Sequence, residues 1–154
     1  MWTVDSEDAD GIVGRYDSVC VAILRSPIDS RFLDRLGDSL AAAREAHPDG
    51  FSAIVVRASE APGSMSAPLR EKARTILGGN EGRLRGFAYV LGGTGLRARV
   101  VRGAMNAVLL GASFPGKIFS RSDEAVRWIT SLPTQPSDVR GAERDILSTL
   151  EGLV

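Results

Sequence analysis

The sequence predicts an α/β fold: a single-layer, mixed, mostly parallel sheet of four or five strands flanked by helices. Three observations carry this. Apolar runs of strand length alternate with segments of helical periodicity, the pattern of a layered α/β domain. Two runs, FSAIVVRA (Phe51 to Ala58) and GFAYVLGG (Gly86 to Gly93), are almost continuously apolar, as strands covered on both faces are. Right-handed crossovers through the intervening helices make the central strands parallel.

The elements follow in order. SVCVAILR (Ser18 to Arg25) is rich in β-branched residues, and GIVGRY before it reads as a hairpin partner that adds an antiparallel edge. Ser26-Pro27 ends that strand. DSRFLDRLGDSLAAAREA (Asp29 to Ala46) places Phe32, Leu33, Leu36, Leu40 and Ala43 at helical spacing, with Asp29 or Ser30 as cap and His47-Pro48-Asp49-Gly50 as stop. A loop with Pro62 and Gly63 follows the strand at Phe51. Pro68 then opens PLREKARTILGG, where proline fits a first helical turn. The strand at Gly86 passes into a helix over Leu96 to Gly111, and GKIFSR is a short strand. SDEAVRWITSL has Ser122 as cap, Asp123 and Glu124 at the positive end of its dipole, and Trp128 as its anchor on the sheet. After Pro133 and Pro136, SDVRGAERDILSTLEGLV aligns Val139, Ile146, Leu150 and Leu153 on one stripe. Residues 1–132 form the domain. Residues 133–154 are a linker and an amphipathic helix that packs on the domain or on a partner subunit.

Composition bounds the function. The 154 residues are 44% hydrophobic, and 19 basic residues balance 19 acidic ones, so no overall field draws nucleic acid or anionic membrane. Aromatic residues make up 6% and are not interleaved with basic ones, which leaves no stacking platform for nucleic acid. The start, MWTVDSEDAD, is acidic and lacks the regions of a signal peptide; the apolar patch around Ala104 to Phe114 is too short to span a bilayer. A cytoplasmic protein without membrane insertion is expected. Residues 70–102 hold an excess of arginine, read as a solvated face, with a phosphate- or acid-binding face as the alternative.

Catalytic chemistry has little to stand on. Cys20 is the lone cysteine and lies between Val19 and Val21, as a buried, inert thiol does. His47 is the lone histidine and sits in turn chemistry, without a nucleophile or acid beside it. Asp34 with Asp38, and Glu7 with Asp8, read as exposed helix and tail charges. No enzyme, metal site or cofactor is expected.

The run from Ser18 to Leu132, closing in KIFSRSDEAVRWI (Lys117 to Ile129), resembles the STAS-like domains of anti-sigma-factor antagonists and sulfate-transporter tails. The resemblance implies a non-catalytic regulatory domain that works by binding a protein partner or by self-association. In signalling members, an Asp-Ser-Ser/Thr-Gly turn carries a phosphorylated hydroxyl. Here the corresponding loop, SEAPGSMSAPLR, lacks that turn and offers Ser64 and Ser66 as phosphorylation candidates. A phosphate there would meet a helix N-terminus, where the dipole favours it.

One motif points elsewhere. Gly93-x-Gly95-x-x-Ala98 matches a dinucleotide-binding turn and lies between a strand and a helix. Only one short strand follows it, no acidic residue ends that strand, and no Gly-Lys-Ser/Thr makes it a P-loop. Arg121 is placed where an arginine faces a 2′-phosphate. The plainer reading has Gly92 and Gly93 forming the turn, Thr94 capping the helix and Gly95 permitting close packing. A weaker form keeps an anion site of Gly93, Thr94, Gly95 and Arg97 for a nucleotide or other phosphate. Arg99, Arg102 and Asn106 read as a solvated face opposite Val100, Ala104 and Val108. A third reading, an apolar ligand between helices and sheet, requires a large cavity.

Overall fold

The computed structural model describes residues 1–58, 65–93 and 95–153. Its strands are β1 (Trp2–Asp8), β2 (Gly11–Tyr16), β3 (Val19–Leu24), β4 (Phe51–Arg57), β5 (Leu84–Leu91) and β6 (Gly116–Phe119). Its helices are α1 (Ser30–Ala46), α2 (Ala67–Gly78), α3 (Leu96–Leu109), α4 (Ser122–Ser131), α5 (Ser137–Arg140) and α6 (Glu143–Leu153).

The strands lie side by side in chain order, β1-β2-β3-β4-β5-β6. β1, β2 and β3 form an antiparallel meander, and β3 to β6 are parallel. The sheet is therefore six-stranded and mixed, not four- or five-stranded and mostly parallel. The strand that the sequence hid is β1. Its acidic residues read as a solvated tail, but they are the charges of an edge strand, a common guard against edge-to-edge pairing. A bulge between Val4 and Ser6 presents both Asp5 and Ser6 to α1. Ser39 donates to Asp5 at 2.6 Å, Arg15 grips the same carboxylate at 2.9 Å, and Arg35 reaches Ser6 and Asp8.

Each parallel strand adds on the same side of the last, so crossovers of one hand place α1, α2 and α3 on one face. Phe32, Leu40, Val55, Phe87, Tyr89 and Met105 form the core there. The opposite face of the same strands packs Val21, Ile54 and Ala88 under Ile129 of α4 and Ile146 and Leu150 of α6. Gly86 lets α4 settle: an added Cβ would stand 2.5 Å from a Leu132 methyl and 3.1 Å from an Ile129 methyl. Trp128 packs tilted against Phe119, with ring centroids 5.5 Å apart and the planes at 50°.

Two helix ends differ from expectation. The stretch from Ser137 is two helices, because Gly141 closes α5 on the carbonyl of Ser137 and α6 restarts from Ala142. The N-cap of α4 is Arg121 rather than Ser122, and no side chain bonds it. The connection before α5 is not a free linker. Gln135 is buried and its amide donates to the Ser52 hydroxyl. Among the described residues, no helix is long and apolar enough to cross a membrane.

Candidate functional site

The parallel strands end at Leu24, Arg57, Leu91 and Phe119, and the Gly92-Gly93 turn lies at that edge. In open α/β sheets, ligands bind at this edge, where strand order reverses and helices diverge to opposite faces. Here the order runs monotonically and α1 to α3 share one face, so among the described residues no such crevice opens beside the glycines.

The turn itself is a braced connection. Gly93 has φ of 94°, a left-handed conformation in which glycine carries no Cβ penalty. Arg102 reaches back from the second turn of α3 and donates to the carbonyls of Leu91 and Gly93 and to the Ser120 hydroxyl, at 3.0, 3.1 and 3.1 Å. It is thus a half-buried brace between β5 and β6, not part of a solvated face. Other arginines between residues 70 and 102 do similar work. Arg70 bonds the Met65 carbonyl, Arg74 that of Ala107, Arg83 that of Pro48, and Arg85 those of Asp49 and Thr134. Carbonyls at loops and helix ends lack partners of their own, and a guanidinium supplies several donors at once.

The predicted anion residues are placed as follows. Gly95 is the N-cap of α3, with no side-chain hydrogen bond to the cap. Thr94 lies outside the described residues. Among the described residues, nothing stands within 4 Å of an added Cβ on Gly95, so close packing there does not explain that glycine. Arg97 is exposed in the first turn of α3, and Arg121 pairs with Asp123 at 3.0 Å. Of the serine candidates, Ser64 lies outside the described residues. Ser66 is exposed and caps α2, its hydroxyl accepting the Leu69 N–H at 3.4 Å.

Chemistry on the helix-covered faces is sparse. Burial pushes the Cys20 thiol up to about 12, although Ser39 and Arg15 hold it down somewhat. A thiol so protonated is a poor nucleophile. Arg57 closes β4 at 8% exposure, and beside it burial raises the Tyr89 phenol while the guanidinium opposes the rise. The apolar cavity between α1, α2 and the sheet, bordered by Phe32, Met65 and Tyr89, has a volume of about 20 Å³. That is room for about one water molecule, not for a lipid. Among the described residues, no group of three His, Cys, Asp or Glu side chains is placed to hold a metal ion.

What the sequence reading missed is the outside of α3. It took Val100 for the packed side, yet Val101, Met105 and Val108 are buried and Val100 is 47% exposed. Leu96 is 77% exposed and Leu110, at the helix C-cap, 82%. With Gly103 and Ala107 they follow a spacing of four, three, four and three residues, which places them on one line along the helix. At about 100° per residue that line lies opposite the buried side, so α3 is apolar on both faces. Helical period was the available signal, but it cannot say which of two apolar faces meets the core. Comparison with protein-family models and with curated protein sequences finds no match to this chain.

Proposed function

We propose that this is a non-catalytic, STAS-like regulatory domain that acts by binding protein through the outer face of α3. The observation that carries the reading is the exposure of Leu96, Val100 and Leu110 on a helix whose inner face is already packed. A helix with a second apolar stripe opposite its packed side leaves that stripe in water unless something covers it, and exposed apolar surface of this kind marks interaction sites. Support for the family part is the order β3-α1-β4-α2-β5-α3-β6-α4, the succession that the resemblance implies.

A photo-crosslinking residue at Val100, expressed in the native cell, tests it, with one at Glu45 on the exposed side of α1 as control. Adducts at Val100 and none at Glu45 are expected. Equal labelling, or none at Val100, sinks the reading.

A second reading keeps a small phosphate ligand at Gly93, Gly95 and Arg97. It rests on the described residues giving α3 no side-chain cap, which leaves first-turn amides for an anion. Amide NMR titration with ATP, GTP and NADPH tests it. Shifts centred on Gly92 to Arg97 and lost in Arg97→Ala are expected; silence from all three removes it.

A further inference from the structure

We propose that the occupant of the α3 face is a second copy of this chain, docked antiparallel about a two-fold axis at Gly103. The inference rests on reading α3 as the interaction surface and names its partner.

The argument is self-complementarity. A two-fold interface requires that if residue i meets residue j, then j meets i. Reversed about Gly103, the line Leu96, Val100, Gly103, Ala107, Leu110 returns close to itself: Leu96 meets Leu110 of the other copy, Gly103 meets Gly103, and Val100 falls within one residue of Ala107. Large residues fall opposite large at the ends, and a large one opposite a small one between. At the centre, nothing among the described residues stands within 4 Å of an added Cβ on Gly103, so the backbones approach there without hindrance from those residues.

Charge sets the direction. The charged residues of α3 are Arg97, Arg99 and Arg102, all in its N-terminal half, and no acidic residue offsets them. Parallel pairing would bring arginine against arginine. Antiparallel pairing sets Arg97 and Arg99 beside the C-terminal half of the other helix, which bears no charged residue of its own. By helical spacing, Arg99 and Asn106 share one flank of the line, about 20° apart. The reversal therefore seats Arg99 beside the amide of Asn106 in the other copy, twice over.

A pair of helices this short covers less than the about 1,200 Å² of tight interfaces, so the dimer is of the weak, concentration-dependent kind. Sedimentation velocity of the full chain over a concentration series is the first measurement, with Gly103→Arg and Val100→Glu as variants. Gly103→Arg sets two cations at the axis and is expected to weaken association more than about tenfold. It sits at an exposed helical position where arginine is the better helix former, and an unchanged circular dichroism spectrum checks folding. Direction is read by disulfide trapping, where burial keeps Cys20 out of the reaction. Gly103→Cys is expected to link to itself, and Leu96→Cys to link only to Leu110→Cys.

A chain that sediments as a monomer throughout overturns the proposal, as does self-linking by Leu96→Cys. A monomer that still gives a heterologous adduct at Val100 overturns the second copy as occupant and leaves the interaction reading standing. A monomer without any Val100 adduct removes both.

Discussion

Replacing Ser39 by alanine tests how the N-terminal hairpin is held. Ser39 is 2% exposed on α1, and its hydroxyl donates to Asp5 at 2.6 Å. A hydrogen bond to a charged group contributes about 1.5–3 kcal/mol. The Asp5 side chain keeps Arg15 at 2.9 Å and is 22% exposed, so water replaces part of the loss. Alanine is also a better helix former than serine, by roughly 0.5 kcal/mol. The net expectation at neutral pH is a loss of about 1 kcal/mol, or about 2–4 °C in Tm for a chain of this size.

The pH dependence separates this from a mere packing defect. Burial raises the Asp5 carboxyl, but the Arg15 hydrogen bond, the Ser39 hydroxyl and the Arg15 charge together bring it below its ordinary value of 3.8. A depressed carboxylate adds stability that is present above the unfolded-state value and lost as pH falls through the folded one. Urea unfolding followed by circular dichroism is thus expected to separate wild type and Ser39→Ala at pH near 7, and the gap is expected to narrow progressively as pH falls below 3.8. A gap that stays constant over this range, or none at neutral pH, refutes the charge-assisted account.

Other changes probe other parts of the molecule. Gly86→Val drives its side chain into Leu132 and Ile129 and is expected to cost about 1–3 kcal/mol in thermal unfolding. Ile146→Ala empties a fully buried site between α6 and the sheet, with an expected loss of about 2–5 kcal/mol by urea titration. Arg102→Ala removes the brace from the glycine turn, so amide exchange should accelerate at Gly92, Gly93 and Ser120 and little at β1; uniform acceleration would count against a local role. Cys20 should resist iodoacetamide in the native protein and react only in urea; native alkylation would contradict its burial.

Much of the fold was legible because burial writes plainly in sequence. Phe51 to Arg57 is apolar almost throughout and is buried at every position, and the packed residues of α1 were read from their period. β1 was not legible, since Asp5, Glu7 and Asp8 look alike whether they guard a sheet edge or float in solvent. The break at Gly141 was missed because Val139 and Ile146 keep the same stripe across it. In the candidate site, Gly93 was readable as a turn residue, while Arg102 was not readable as a brace. Its partners are carbonyls of residues 91 and 93, and every residue type carries a carbonyl. The α3 face was hidden for a third reason: two apolar stripes on one helix leave sequence no way to choose inside from outside.

The monotonic strand order has a consequence for synthesis. As the chain leaves the ribosome, each strand finds its neighbour already made, and α1 to α3 close over the first face in turn. The second face waits. Val21, Ile54 and Ala88 gain their cover from residues 125–150, all of which follow the last strand. A chain stalled soon after β6 therefore carries a finished sheet with one bare apolar side, the form most exposed to aggregation and to chaperone capture.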